Sequence, residues 1–188
     1  MVERQKSMRI ISGKARGTNL YTLEGLETRP TLDRVKESLF NIIQDKIYEA
    51  EVLDLFSGSG AIGLEFASRG AKEVFLCDNS KSAIEIIQKK IKKTHMEEKA
   101  ELYNCDFKEL LKRLENRSFD IIYLDPPYKT DYIKESIEEI LRLNVKKEQG
   151  IIIAETDEPK KIEQDIKELN VEIIDQRKYG RAYLYFIH

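Results

Sequence analysis

The chain has 188 residues, 41% of them apolar and 35% charged, with a formal net charge of −2. That length holds one ordinary domain with a real core, or one domain and a short appendage, and no stretch approaches the roughly 20 continuous apolar residues of a membrane span. Residues 1–7 have no apolar signal-peptide core behind them, so cytoplasmic residence is expected.

Cys77 and Cys105 cannot build a disulfide framework, and their context is not a metal motif. Each closes an apolar run and precedes an aspartate, so the reading is two small reduced side chains on neighbouring strand ends. His95 and His188 lack ligand-type neighbours, and neither a metal nor His-based catalysis is expected. The charge is uneven. Arg4, Lys6, Arg9, Lys14 and Arg16 face only Glu3 within residues 1–20, whereas residues 135–175 are rich in acids. This asymmetry suggests a basic face for phosphates on an acidic body, with a merely solvated N-terminus as the alternative.

Residues 8–23 resemble two short strands around a glycine turn, a small β-appendage carrying cations. Thr31 is a plausible N-cap for a helix over about 32–46, with Val35, Leu39, Ile42 and Ile43 on one face. A regular alternation follows. Strands are expected at 52–56, 73–77, 100–105, 119–124 and 150–155, and helices after the glycine turn through Ala67, then at 81–93, 107–114, 132–143 and about 160–169. Two final runs, 171–178 and 182–187, flank Tyr179-Gly180 and read as an antiparallel hairpin. Such alternation requires a mostly parallel α/β sheet covered by helices on both faces. The expected organisation is a basic β-hairpin appendage over 1–28 and one α/β domain over 29–188.

In open α/β sheets ligands sit at the carboxyl ends of the strands. The first strand runs into Phe56-Ser57-Gly58-Ser59-Gly60, where glycine permits a tight turn and close backbone approach to a ligand. With Gly63 the string also fits a dinucleotide fingerprint, which alone is weak. Asp78-Asn79 closes the second strand; a carboxylate there can take both ribose hydroxyls of an adenosine, or merely cap the next helix. Asp106 could accept from an adenine amino group while Phe107 packs on the ring, with a helix cap and a core residue as the plainer reading.

The fourth strand ends in Asp125-Pro126-Pro127-Tyr128. Two prolines fix the backbone and remove two N–H donors, leaving acceptors: the Asp125 carboxylate and the Pro126 carbonyl. An amino group conjugated to a base ring is a poor nucleophile because its lone pair is delocalised. Two acceptors holding both N–H bonds tilt the nitrogen toward tetrahedral geometry. Tyr128 offers a ring on which a flipped base stacks, worth about 1–3 kcal/mol. With S-adenosylmethionine as donor the methyl already rides on a sulfonium, so placement matters more than acid–base chemistry.

In this order the motifs resemble the amino-methyltransferase branch of the class I S-adenosylmethionine-dependent methyltransferases. Arg9-Ile10-Ile11-Ser12-Gly13 with Gly17, Arg29-Pro30-Thr31 with residues 34–41, the glycine string and the Asp-Pro-Pro-Tyr narrow the resemblance to the RsmD family of 16S ribosomal RNA (guanine-N2)-methyltransferases. The resemblance implies a Rossmann-like seven-stranded sheet of order 3-2-1-4-5-7-6 with the last inserted strand antiparallel. It implies methylation of one guanine amino group in 16S rRNA within the assembled small ribosomal subunit. Carried over, Phe56, Ser57, Gly58, Gly60, Asp78, Asn79, Asp106 and Phe107 hold the cofactor, and Asp125, Pro126 and Tyr128 hold the guanine. Arg29, Thr31 and Arg34 border the site, and Arg9, Lys14 and Arg16 meet RNA phosphates.

Three rivals remain: an NAD-dependent oxidoreductase, which leaves the Asp-Pro-Pro-Tyr unexplained; a catalytically silent RNA-binding factor; and a DNA adenine-N6 methyltransferase. The N-terminal block is what separates the RsmD resemblance from the last.

Overall fold

The computed structural model describes residues 9–19 and 30–188, with side chains from residue 34 onward in the second block. The first helix, α1 (Pro30–Ile42), starts at Pro30, whose fixed φ suits the first helical position. Thr31 therefore lies inside the helix rather than capping it, and its side chain and all of Arg29 lie outside the described residues. The helix also ends early, and residues 44–46 tighten into a 3-10 turn. Val35, Leu39 and Ile43 are buried as the spacing predicts, but Ile42 is exposed and Lys36 and Phe40 complete the inward face.

The alternation then runs β1 (Glu51–Asp54), α2 (Ala61–Ser68), β2 (Glu73–Asp78), α3 (Lys81–Thr94), β3 (Ala100–Asn104), α4 (Phe107–Arg113), β4 (Phe119–Leu124), α5 (Tyr132–Leu143), β5 (Lys146–Thr156), α6 (Pro159–Glu168), β6 (Ile173–Tyr179) and β7 (Ala182–Ile187). The sheet order is β3-β2-β1-β4-β5-β7-β6, with β7 antiparallel to both β5 and β6 and every other pair parallel. The fifth strand begins four residues before its expected start at Gly150, because Lys146 already pairs with Phe119.

Local chemistry sets the helix ends. Ser80 caps α3 by accepting from Ala83 N, and His95 closes it in the left-handed conformation at φ 53°. Lys92 and Lys93 in its last turn suit the helix dipole. The central strands are buried on both faces, as parallel strands between helix layers must be. Val52, Val74, Leu76, Ile121 and Ile153 face a core completed by α1, α2 and α3. Leu53, Phe75, Ile122, Leu124 and Ile152 face a second core under α4, α5 and α6. No helix among the described residues is long and apolar enough to cross a membrane.

The expected pair of N-terminal strands is, within 9–19, a single bridge between Arg9 and Asn19. What holds this segment is a buried carboxylate. Glu65 on α2 accepts from Ile11 N at 2.8 Å, Ser12 N at 2.9 Å and Arg69 Nε at 2.9 Å, with Lys36 Nζ at 3.4 Å. Ile10 is fully buried in the same core as α1 and α2.

Candidate active site

All five parallel strands meet an acid at their carboxyl ends: Asp54, Asp78, Asp106, Asp125 and Glu155. A cleft of about 400 Å³ opens along this edge at the carboxyl ends of the adjacent strands β1 and β4, the topological switch point of the sheet. Phe56, Gly58, Asp78, Asn79, Asp106 and Phe107 line it, and so do Asp125, Pro126 and Tyr128.

Ser57 and Gly60 do not line the cleft; they shape the turn behind it. Ser57 donates its N–H to Cys77 O at 2.8 Å and its hydroxyl to Asp54 O at 3.0 Å. Gly60 N–H donates to Ser57 O at 2.6 Å. Gly60 has φ +73°, and a Cβ there would meet Ile87 Cγ1 at 2.9 Å, so glycine is required twice over. Asp78 ties the turn to α3, accepting from Gly58 N and from Ser80 N, both at 2.8 Å. Asp106 caps α4 through Lys108 N at 2.8 Å and still faces the cleft, so the cap and cleft readings hold together.

Arg9, Lys14, Arg16 and Arg34 are exposed and lie away from the cleft. Lys14 N–H bonds Ser68 O at the carboxyl end of α2, an eight-residue helix that leads away from the glycine turn. The backbone at Lys14 is therefore anchored a helix length, roughly 12 Å, from that turn.

The structure adds residues to which no role was assigned from sequence. Tyr132, at the start of α5, stacks on Phe56 (centroids 6.1 Å, 5° between planes) and tilts against Phe107 at 5.3 Å, making an aromatic wall. Cys105 also lines the cleft, and Cys77 Sγ donates to its carbonyl at 3.4 Å. Burial raises both thiols above their usual range, which disfavours the reactive thiolate; Cys105 packs in the cleft wall and Cys77 in the core behind it. Glu155 is buried and accepts from the buried Tyr123 hydroxyl at 2.7 Å. It lines a small recess behind Pro126, Pro127 and Tyr128. The strand-end rule that picks out Asp78 and Asp125 also picks out Glu155, so that signal was present in the sequence.

The floor of the cleft is electrostatically unusual. Asp54 is 1% exposed, and among the described residues neither of its carboxylate oxygens completes a hydrogen bond. The Ser57 hydroxyl and the Gly63 and Phe56 amides are near enough to ease its charge, but burial prevails and pushes its pKa up to about 7. Burial, then the charges of Glu155 and Asp54, raises Asp125 well above the carboxylate range. Burial raises Glu155 too, partly offset by the Tyr123 hydrogen bond. Among the described residues no lysine or arginine lines the cleft, and no group of acids there has metal-holding geometry. A dinucleotide pyrophosphate would meet only like charge. A sulfonium cofactor carrying an ammonium group supplies the missing positive charge, so these residues fit S-adenosylmethionine.

Sheet order, glycine turn and acid-floored cleft define a class I S-adenosylmethionine-dependent methyltransferase fold, as the motifs implied, and the cofactor is S-adenosylmethionine. Residues 8–188 match the model of the family described as "Conserved hypothetical protein 95", and the chain belongs to that family, the RsmD family of the motif resemblance. The chain is 35% identical over 164 residues to "Putative rRNA methyltransferase YlbH" of Bacillus subtilis, covering 86% of this chain and 89% of that one. It is 36% identical over 155 residues to "Ribosomal RNA small subunit methyltransferase D" of Haemophilus influenzae, covering 81% and 80%. The crystal structure of "putative methylase HI0767" from Haemophilus influenzae superposes with a TM-score of 0.76 at 30% identity, over 96% of this chain and 97% of that one.

Proposed function

We propose that the protein transfers the methyl group of S-adenosylmethionine to the exocyclic N2 amino group of a guanine in 16S ribosomal RNA, in the cytoplasm and on the assembled small subunit. The observation that carries this reading is the Asp125-Pro126-Pro127-Tyr128 turn on the rim of an acid-floored cofactor cleft. The names of the similar proteins, an rRNA methyltransferase and a small-subunit rRNA methyltransferase, support the substrate class.

The cofactor supplies an electrophilic methyl group on a positively charged sulfur. The chain's part is placement. Asp125 Oδ and the Pro126 carbonyl accept the two N–H bonds of the amine and aim its lone pair along the line of displacement. Asp125 accepts more strongly in its charged form, and burial with the acids around it resists that form until a cation enters the cleft. Cofactor binding thus prepares the acceptor. The amine becomes cationic as it is methylated and then sheds its proton, so Asp125 need not be a strong base. Tyr128, 54% exposed on the rim, stacks the flipped base. Phe56, Phe107 and Tyr132 exclude water from the cofactor side. Arg9, Lys14 and Arg16, with Arg29, Thr31 and Arg34, engage RNA outside the cleft. With a net charge of −2, docking on a preassembled particle suits the protein better than capture of naked RNA.

The test is methyl transfer to small ribosomal particles lacking the modification, followed by nucleoside mass analysis. N2-methylguanosine in 16S rRNA is the expected product. Label appearing only as N6-methyladenine in DNA would refute the base and the substrate together.

A further inference from the structure

Lysine is almost never fully buried without a partner of opposite charge. Lys90 on α3 has an exposure of 0%, yet no ion pair with any carboxylate is found for it among the described residues. The charge that acts on it is of like sign, Lys36 on α1, and burial together with that neighbour lowers the ammonium to about 8. Among the described residues the ammonium makes one hydrogen bond, from Nζ to the carbonyl of Ser59, 2.5 Å away, in the middle of the cofactor turn. Ile87, one turn earlier on α3, packs directly under Gly60. The underside of the glycine turn therefore rests on two α3 side chains, one apolar and one cationic. Its outer side is gripped by Asp78 through Gly58 N.

A buried cation bound to a single neutral carbonyl is a poor way to stabilise a fold. An apolar side chain of similar length would avoid the desolvation. We propose that Lys90 is a positioning residue of the cofactor site: its ammonium pins the Ser59 carbonyl inward against α3 and so holds the 57–60 turn in the form that receives S-adenosylmethionine. A carbonyl released from Lys90 can swing toward the cleft and add one more electronegative group to a wall already crowded with acids. The ammonium also sets a positive charge behind the turn and near the start of α2, where the anionic end of an otherwise cationic cofactor is best received. This role concerns cofactor binding and does not depend on which base is methylated.

Lys90→Met keeps the length and removes the charge and the donor. Calorimetric titration with S-adenosylhomocysteine is run at a temperature where far-UV circular dichroism shows wild type and variant both fully folded. Binding should weaken about tenfold or more, while the melting temperature of the free protein is unchanged or raised. Amide exchange should quicken over 57–60 but not in β1 or β4. Affinity within twofold of wild type would overturn the proposal. So would a loss of affinity that tracks a lowered melting temperature and is recovered on cooling, since a merely structural lysine predicts that pattern.

Discussion

The two edges of the sheet hold similar numbers of acids and treat them in opposite ways. At the edge where the parallel strands begin, Glu51 meets Lys147 at 3.0 Å, Lys72 at 3.2 Å and Arg117 at 3.6 Å. There too Asp120 meets Lys147 at 2.8 Å, and Glu73 meets Arg117 at 2.5 Å. The Lys147 contact, ahead of burial and the Lys72 contact, leaves Glu51 with a lowered pKa. At the edge where the strands end, Asp54, Asp125 and Glu155 have no cationic partner among the described residues and all three are raised. A paired acid is finished within the fold. An unpaired buried one costs stability unless a ligand compensates it, which is why the proposed reaction is placed at the second edge.

Breaking the reactive edge should have the largest effect. In the proposed mechanism, Asp125→Ala removes a group that holds the amine for displacement and matters most as the bond forms. Turnover in the particle assay should fall by about 10²–10³-fold or more, the scale of losing one transition-state hydrogen-bonding group. Cofactor affinity should change far less. If affinity and turnover fall equally, Asp125 belongs to the cofactor and not to the substrate amine.

Asp54 gives an effect of middle size with a defined sign. Its folded pKa of about 7 lies above its ordinary value of 3.8, so the folded state binds more protons than the unfolded state between those values. Stability must therefore fall as pH rises through that window, by roughly 4 kcal/mol at most. Asp54→Asn cannot ionise and should escape this loss. The variant should melt higher than wild type at pH 8, with the gap closing toward pH 4.5, and should bind S-adenosylmethionine more weakly. Parallel pH profiles of melting temperature would show that the carboxylate is not held unpaired.

How far the sequence foretold this contrast depends on whether a feature is local. The Asp-Pro-Pro-Tyr turn, the glycine turn and Asp78 are contiguous strings at strand ends, and the cleft gathers them as expected. Strand alternation likewise follows from runs that need no partner to be recognised. The paired edge depends on register: Glu51 and Glu73 become neighbours only because β1 pairs with β2 in one alignment. Lys90 and Glu65 read as ordinary surface charges on amphipathic helices, and only packing shows them buried. Tyr132 looked like a routine helix start, because its partners Phe56 and Phe107 follow two other strands. Thr31 looked like a cap because a threonine before an apolar-periodic run usually is one, while Pro30 can begin the helix itself.

The paired edge supplies the smallest effect and the control. Arg117 is 40% exposed, so water screens its contacts with Glu73 and Glu51, although its guanidinium also lies 4.6 Å over the Phe75 ring. Arg117→Ala should cost about 1 kcal/mol or less, and less still at high salt as the ionic part is screened. A residue of destabilisation that survives high salt points to the close Phe75 contact, which salt screens less than the exposed ion pairs. Turnover and cofactor affinity should stay at wild-type values, because no strand need shift when one surface cation is lost. Denaturant unfolding at low and high salt, run beside the methyl-transfer assay, separates the two. A clear loss of turnover in this variant would mean that the starting edge communicates with the cleft, and the division of labour between the edges would fail.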